Sequence, residues 1–191
     1  IRTLYDQVEC ALKGGVTLVQ LREKNMAYEQ FLEEAVQIKG LCRRYSVPLI
    51  INDNAGIAIK AGADGVHVGL DDMPIEEIRK STGNNFIIGA TAKTVEQARA
   101  AENAGADYLG VGAVFPSPTK KNAVRITPNI LREICAAVTI PVVAIGGIDL
   151  NNIAGLKGCG ISGVAAVSAV FSAGDIERAA AELLKKVRTI V

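Results

Sequence analysis

The chain has 191 residues, 49% of them apolar, and a formal net charge of +1. This composition can build one large core, so we predict a single domain over residues 1–191. The near-zero charge excludes a polybasic surface, so we expect neither nucleic acid nor a membrane as a partner. The four cysteines are widely spaced and include no Cys-x-x-Cys pair, and apolar runs such as 140–148 are too short to cross a membrane. We therefore predict a reduced, cytoplasmic protein.

Helices and short apolar strands alternate along the whole chain. The strands are predicted, in chain order, at 16–22, 48–52, 65–68, 86–91, 108–114, 141–146 and 163–168. Apolar residues at helical spacing predict the helices around them: Leu4, Val8 and Leu12; Phe31, Ala35, Ile38 and Cys42; Ile75 and Ile78; Val95, Ala98 and Ala101; Leu131 and Ile134; Ile176, Ala180 and Leu184. One sequence motif recurs almost unchanged at 60–66 and 103–108. In this motif a helix ends at glycine and a strand follows.

This alternation is compatible with two α/β folds, a (β/α)₈ TIM barrel and an open doubly wound sheet. No Gly-x-Gly-x-x-Gly turn follows the first strand, whereas Gly146, Gly147 and the turn at Ser168 follow the last two strands, where barrels commonly hold phosphate. The sequence therefore favours the barrel. Because the chain opens in a helix, the first strand of the barrel is absent from this numbering, and we expect roughly 20 or more residues before Ile1.

Three polar side chains alternate at the end of the first predicted strand. Gln20, Arg22 and Lys24 are two residues apart, so they share one face of an extended chain. Arginine offers a planar fork for phosphate oxygens and lysine a mobile point charge, a combination suited to a diphosphate. A strand-end ion pair between Arg22 and Glu23 is the alternative that the sequence leaves open.

Aspartates follow the next two strands. Asp53 ends the second strand and Asp72 follows the third, so both carboxylates are expected at the same end of the barrel. Mg²⁺ usually takes one or two carboxylates together with phosphate oxygens and water. Asp before a proline-led helix is also an ordinary N-cap, and we assign that role to Asp71 and the metal to Asp72.

Hydroxyl and ammonium groups follow two later strands. Thr91 ends the fourth strand, and the proline-stiffened loop after the fifth carries Ser117, Thr119 and Lys120. This loop is able to close over a ligand at modest entropic cost, or it is a solvated linker.

The single histidine, His67, alternates with Gly65 and Gly69 and is predicted to point into the barrel interior. We interpret it as a hydrogen-bonded core residue rather than a catalytic base.

Together these motifs resemble the thiamine-phosphate synthase family. The segments that carry the resemblance are Gln20-Leu21-Arg22-Glu23-Lys24, Ile51-Asn52-Asp53, Val66-His67-Val68-Gly69-Leu70-Asp71-Asp72, Gly89-Ala90-Thr91, Phe115-Pro116-Ser117-Pro118-Thr119-Lys120-Lys121, Ala144-Ile145-Gly146-Gly147-Ile148 and Val167-Ser168-Ala169. The resemblance implies a transferase of thiamine biosynthesis that joins 4-amino-2-methyl-5-hydroxymethylpyrimidine diphosphate to 4-methyl-5-(2-hydroxyethyl)thiazole phosphate and releases pyrophosphate. It also implies a Mg²⁺ cofactor and a homodimer.

The resemblance assigns a role to each matching residue. The pyrimidine diphosphate would be bound by Gln20, Arg22, Lys24 and Asn52; the Mg²⁺ by Asp53 and Asp72; the pyrophosphate by Thr91 and Lys120; and the thiazole phosphate by Ser117, Thr119, Gly147, Val167 and Ser168. Arg22, Lys24, Thr91 and Lys120 would be catalytic, because they stabilise the charge that gathers on pyrophosphate in a dissociative substitution.

Two other classes of function stay open at this point. A thiazole tautomerase or related isomerase would use the same phosphate site, although Lys93 stands where these tautomerases are thought to use a histidine. A non-catalytic phosphate-binding barrel is the other alternative, since the fold alone does not specify a reaction. Two metal carboxylates beside several cations favour the transferase.

Overall fold

The structure, a computed structural model, describes residues 2–116 and 125–191. Seven strands form one parallel sheet in which each strand pairs with the next along the chain. The strands are β1 (Val19–Leu21), β2 (Leu49–Asn52), β3 (Gly65–Val68), β4 (Ile87–Ala92), β5 (Tyr108–Gly112), β6 (Val142–Ile145) and β7 (Gly163–Ala165). The seven predicted strands and the barrel-type α/β fold are confirmed.

Helices follow the strands on the outside of the sheet. They are α1 (Leu4–Lys13), α2 (Tyr28–Arg44), α3 (Ala55–Lys60), α4 (Ile75–Thr82), α5 (Val95–Asn103), α6 (Pro128–Ala137), α7 (Ser168–Phe171) and α8 (Ile176–Val187), with a 3₁₀ turn at Ile153–Leu156. The six helices predicted from apolar spacing are all present. The short α3 and α7 and the 3₁₀ turn were missed, because four to six residues do not complete a recognisable helical period.

Several strands are shorter than their apolar runs. The first was predicted from Val16, yet the Val16 N–H donates to the carbonyl of Ala11 at 3.3 Å, which ties this residue to the end of α1. The strand therefore begins only at Val19 and ends at Leu21. Arg22 and Lys24 thus lie in the segment that leaves the strand, not within it.

The repeated Ala-Gly-Ala-Asp phrase has a structural explanation in its aspartate. The Asp64 carboxylate accepts the N–H of Leu49, the first residue of β2, and pairs with Lys39 of α2 at 2.6 Å. Asp107 does the same one repeat later, since it accepts the Ile88 N–H and pairs with Arg79 of α4, both at 2.7 Å. Each carboxylate joins a strand to an outer helix at the amino-terminal end of the sheet, where barrel residues serve stability.

The outer helices close around the gap between β1 and β7, the two edges of the sheet. Helix α1 packs against both α2 and α8. Gly14, which ends α1, permits the approach to α8, because a Cβ there would lie 2.6 Å from the Cβ of Ala180. No helix in the two described ranges is long and apolar enough to span a membrane.

Candidate active site

Strand register places four residues in one row across the sheet. Asn52 pairs with His67, His67 with Gly89, and Gly89 with Tyr108. Paired residues of parallel strands point to the same face, so these side chains share one surface. The Gln20 side chain of β1 lies close enough to the Tyr108 hydroxyl of β5 to lower the pKa of that group against the larger effect of burial. Because β1 and β5 are far apart in the strand order, this contact is possible only across the inside of the curled sheet.

His67 lies in the middle of this interior and is only 8% exposed. One ring nitrogen, Nδ1, lies 3.0 Å from the Tyr108 hydroxyl, and the other, Nε2, lies 3.0 Å from the Thr91 hydroxyl. Burial lowers the pKa of His67 to about 4, against a smaller opposing effect of Asp72, so the ring is neutral near pH 7. The prediction of a hydrogen-bonded core histidine is confirmed.

The two predicted metal carboxylates lie together at the carboxyl ends of β2 and β3. Burial raises the pKa of Asp53, the nearby Asp72 carboxylate raises it further, and Lys24 and Arg22 act in the opposite direction. These four charged groups from three adjacent loops therefore form one cluster. Arg22 makes no ion pair within the described residues, and the alternative of an Arg22–Glu23 pair is not observed.

Both aspartates are held in place by the backbone. Asp53 has a φ of 65°, in the left-handed region, and its N–H donates to the His67 carbonyl at 2.8 Å. The Oδ2 atom of Asp72 accepts the N–H of Gly69 at 2.7 Å. The Asp72 carboxylate is anchored and the backbone of Asp53 is held, and the two carboxylates lie close enough to raise the pKa of Asp53. A cation between them would relieve their repulsion.

This pair fits a divalent metal of the Mg²⁺ type. Mg²⁺ binds hard oxygen ligands and usually takes only one or two carboxylates, with phosphate oxygens and waters as the others. No group of three or more His, Cys, Asp or Glu side chains that could hold a metal occurs in the described part of the chain. The two carboxylates alone would leave most of the coordination positions to a phosphorylated substrate.

Turns after β6 and β7 contribute backbone rather than charge. Gly147 has a φ of 64°, and a Cβ there would lie 2.8 Å from the Phe115 carbonyl oxygen, so only glycine fits beside this loop. The Asn152 amide donates to the Gly147 carbonyl at 2.7 Å and fixes the turn. Val167 and Ser168 stand at the start of α7, directly after β7, and Val167 is 54% exposed.

The structure thus brings together seven of the predicted site residues and leaves others apart. The cluster toward the carboxyl end of the barrel comprises Gln20, Arg22, Lys24, Asn52, Asp53, Asp72 and Thr91. Gly147, Val167 and Ser168 follow the neighbouring strands β6 and β7, and no described contact joins them to the carboxylates. Ser117, Thr119 and Lys120 lie outside the described residues.

One assignment was wrong and one residue was missed. Helix α4 begins after Pro74 with no side-chain cap, so Asp71 does not cap it. Pro74 precedes the first residue of α4 instead, and its ring restricts the backbone φ at the start of the helix. Tyr108 was missed as a site residue. The signal for it was available in part, since a hydroxylated aromatic opens an apolar strand and Gly89 leaves space beside it.

Comparison with known proteins identifies the family of the chain. A family model described as thiamine monophosphate synthase matches residues 1–170. The chain is 48% identical over 184 residues to a thiamine-phosphate synthase of Ruminiclostridium cellulolyticum, covering 96% of this chain and 88% of that protein. It is 46% identical over 191 residues to thiamine-phosphate synthase 2 of Streptococcus pneumoniae, covering 100% of this chain and 91% of that one.

A solved structure gives the same result in three dimensions. The thiamine phosphate pyrophosphorylase from Pyrococcus furiosus superposes with a TM-score of 0.92 at 39% identity, covering 100% of this chain and 92% of that chain. The family model, the near-full-length relatives and this structure agree with each other. The chain therefore belongs to the thiamine monophosphate synthase family.

Proposed function

We propose that the chain is a transferase that couples 4-amino-2-methyl-5-hydroxymethylpyrimidine diphosphate to 4-methyl-5-(2-hydroxyethyl)thiazole phosphate, forming thiamine phosphate and pyrophosphate. The observation that carries this proposal is the cluster of Asp53, Asp72, Arg22 and Lys24 at the carboxyl end of the barrel. Its two carboxylates would hold a Mg²⁺ ion, and its two cations suit the phosphates of the substrate.

The metal would supply charge neutralisation at the diphosphate when bound. Arg22 and Lys24 hold the diphosphate beside Asp53 and Asp72, and Thr91 donates a hydrogen bond to it. As the C–O bond breaks, its electron pair stays on the pyrophosphate oxygen, and these groups stabilise that charge. Lys120 would join them from its loop. The electron-rich aminopyrimidine carries the cation that remains, and the thiazole nitrogen attacks it.

The interior of the barrel binds the pyrimidine ring in this proposal. Asn52 is 9% exposed and pairs with His67, and the side chain of Gln20 in β1 lies near the Tyr108 hydroxyl on the same inner surface. The thiazole phosphate would be bound by Gly147, Val167 and Ser168, with Ser117 and Thr119 as further proposed ligands. Each substrate would thereby be bound by residues that follow different strands of the barrel.

The isomerase alternative is less well supported. Lys93 replaces the histidine expected of a thiazole tautomerase, and its backbone N–H is bonded to Gln97 at 2.8 Å. A tautomerase also has no use for a fixed carboxylate pair. A ligand-binding barrel without activity would not need the cations and carboxylates together.

Some wider properties belong to the same proposal. We propose one domain over residues 1–191 that acts in the cytoplasm, supported by four cysteines that are all free. Its partners would be the two phosphorylated substrates, with no nucleic acid or membrane and with a homodimer as its assembly.

The test is an assay with both substrates, in Mg²⁺ and in excess chelator, with thiamine phosphate and pyrophosphate quantified together. We expect equal amounts of the two products in Mg²⁺ and none after chelation. A well-folded protein that binds thiazole phosphate yet forms no thiamine phosphate would overturn the proposal in favour of the isomerase or binding alternatives.

A further inference from the structure

The buried chain formed by Tyr108, His67 and Thr91 has no role in the proposed function beyond the Thr91 hydroxyl. Its two bonds are each 3.0 Å long and use both ring nitrogens of His67. A buried histidine in a barrel interior needs partners only to be satisfied. Here, however, one partner is Thr91, which is proposed to touch the leaving group. The hydrogen-bonded series therefore leads from the core to the reacting end of the substrate.

The sheet is built to admit this chain. Gly89 separates His67 from Tyr108 in the row of paired residues, and a Cβ there would lie 2.5 Å from the Tyr108 hydroxyl oxygen. Gly110 pairs with Thr91, and a Cβ there would lie 2.8 Å from His67 Cε1. Side chains at either position would push the rings apart, so both glycines keep His67 between its two partners.

The chemistry of the three groups gives the chain a direction. A neutral imidazole has one N–H donor and one acceptor nitrogen. A phenol is a stronger hydrogen-bond donor than an alkyl hydroxyl, and the only polar atom bonded to the Tyr108 hydroxyl in the described hydrogen bonds is His67 Nδ1, so we assign Tyr108 as the donor to His67 Nδ1. His67 Nε2–H then donates to the Thr91 oxygen. Thr91, having accepted on that side, has its own O–H free to donate elsewhere.

We propose that His67 is a positioning residue for the pyrophosphate: Tyr108 fixes its tautomer, and His67 in turn directs the Thr91 O–H toward the leaving group. This inference rests on the proposed function, in which Thr91 contacts the pyrophosphate. No proton leaves Thr91. Its O–H donates a hydrogen bond to an oxygen that gains charge as the C–O bond breaks, and preorientation removes the need to reorganise it during the reaction.

A purely structural role predicts something different. If His67 only filled the core, a Leu of similar volume would serve at least as well as a polar residue, and any loss would appear in stability alone. If His67 directs Thr91, a Gln, whose amide can both accept from Tyr108 and donate to Thr91, would serve better than Leu. The two roles are therefore separable by substitution at one position.

The experiment compares Thr91→Val, His67→Leu, His67→Gln and the double variant Thr91→Val/His67→Leu with the wild type. Ile78→Val is the control, since Ile78 is fully buried in α4, away from the site. The quantities are kcat, KM for thiazole phosphate, Tm, and calorimetric binding of Mg²⁺-pyrophosphate. Pyrophosphate binding needs no turnover, so a failure of the proposed function, seen as an inactive wild type, is recognised separately.

We expect Thr91→Val to lower kcat by about 100-fold and His67→Leu by about 10-fold, with KM for thiazole phosphate changed by less than about two-fold. His67→Leu should also weaken pyrophosphate binding, and His67→Gln should recover part of both losses. The double variant should be no slower than Thr91→Val within about two-fold, because His67 acts through Thr91.

Multiplying losses in the double variant would overturn the proposal, and so would a His67→Leu variant that, like Ile78→Val, loses only Tm. If His67→Leu does not fold, Tyr108→Phe provides the second test, since it keeps the ring and removes only the hydroxyl. We expect it to lower kcat by at least about three-fold in the wild type and to have no effect with Thr91→Val. An equal loss in both backgrounds would contradict the proposed direction of the chain.

Discussion

Replacing Asp53 by Asn should raise the stability of the metal-free protein while it removes activity. The side chain is half-buried, its pKa is raised first by burial and then by Asp72, and both effects end when the charge is removed. Asparagine is also the substitution best suited to the backbone, because it tolerates the left-handed φ of 65° at this position. The change therefore isolates the charge.

The expected gain is modest, since the two carboxylates are partly exposed. Interactions between such charges are worth about 0.2–1 kcal/mol, and for a chain of this length 1 kcal/mol corresponds to about 2–4 °C in Tm. We expect Tm without Mg²⁺ to rise by about 0.4–4 °C and the Mg²⁺-dependent rate to fall by at least about 100-fold.

The assays are calorimetric unfolding in chelator and the coupled synthesis of thiamine phosphate. Glu182→Gln is the control, because it removes a carboxylate from an exposed ion pair with Arg178 on α8 and should leave the rate unchanged. A lower Tm for Asp53→Asn, or a wild-type rate, would refute the interpretation of Asp53 as a strained metal ligand.

Three further predictions concern the interior and the strand-to-helix ties. Gly89→Ala should lower the free energy of unfolding by about 1–3 kcal/mol, because the new Cβ pushes on the Tyr108 ring. Gly40→Ala, in an open helical position, should raise it by about 0.5–1 kcal/mol. Chemical denaturation measures both, and equal effects would contradict the packing at Gly89. Asp107→Ala should cost about 1.5–3 kcal/mol in unfolding free energy with KM unchanged, because its bonds lie at the far end of the barrel; a changed KM would argue against that separation. Burial lowers the pKa of His67 from 6.5 to about 4. The contribution of the neutral ring to the free energy of unfolding is therefore fully present above pH 6.5. It is lost as the pH falls through 4, by up to about 3 kcal/mol. Urea unfolding between pH 7 and about 4 should show a flatter decline for His67→Gln, and an unchanged slope would show that another group titrates.

Sequence reasoning succeeded where a pattern repeats. Apolar runs predicted all seven strands, and apolar residues at helical spacing predicted every long helix. These patterns are clear because the strands of a parallel sheet are buried on both faces and each outer helix buries one face against them. The position of Asp53 and Asp72 at strand ends was enough to predict that they meet. The residue that begins or ends a strand was less predictable, as at Val16, because backbone bonding decides it.

What the sequence did not reveal depends on register. Tyr108 becomes part of the site only because it pairs with Gly89, next to His67, and no local pattern in β5 indicates that pairing. The wrong capping role for Asp71 has a similar origin, because the turn after β3, in which the Gly69 N–H donates to Asp72, lets α4 begin after Pro74 without a side-chain cap. The roles assigned to the site residues all stay predictions, and Ser117, Thr119 and Lys120 also lie outside the described residues.

The most direct test of the site is a calorimetric titration of Mg²⁺ into the wild type and Asp53→Asn, with and without inorganic pyrophosphate. Two fixed carboxylates beside Arg22 and Lys24 predict that Mg²⁺ binds weakly alone and much more tightly with pyrophosphate, and that Asp53→Asn removes most of this enhancement. Mg²⁺ binding that is indifferent to pyrophosphate, or unaffected by Asp53→Asn, would contradict a shared metal and diphosphate site at this end of the barrel.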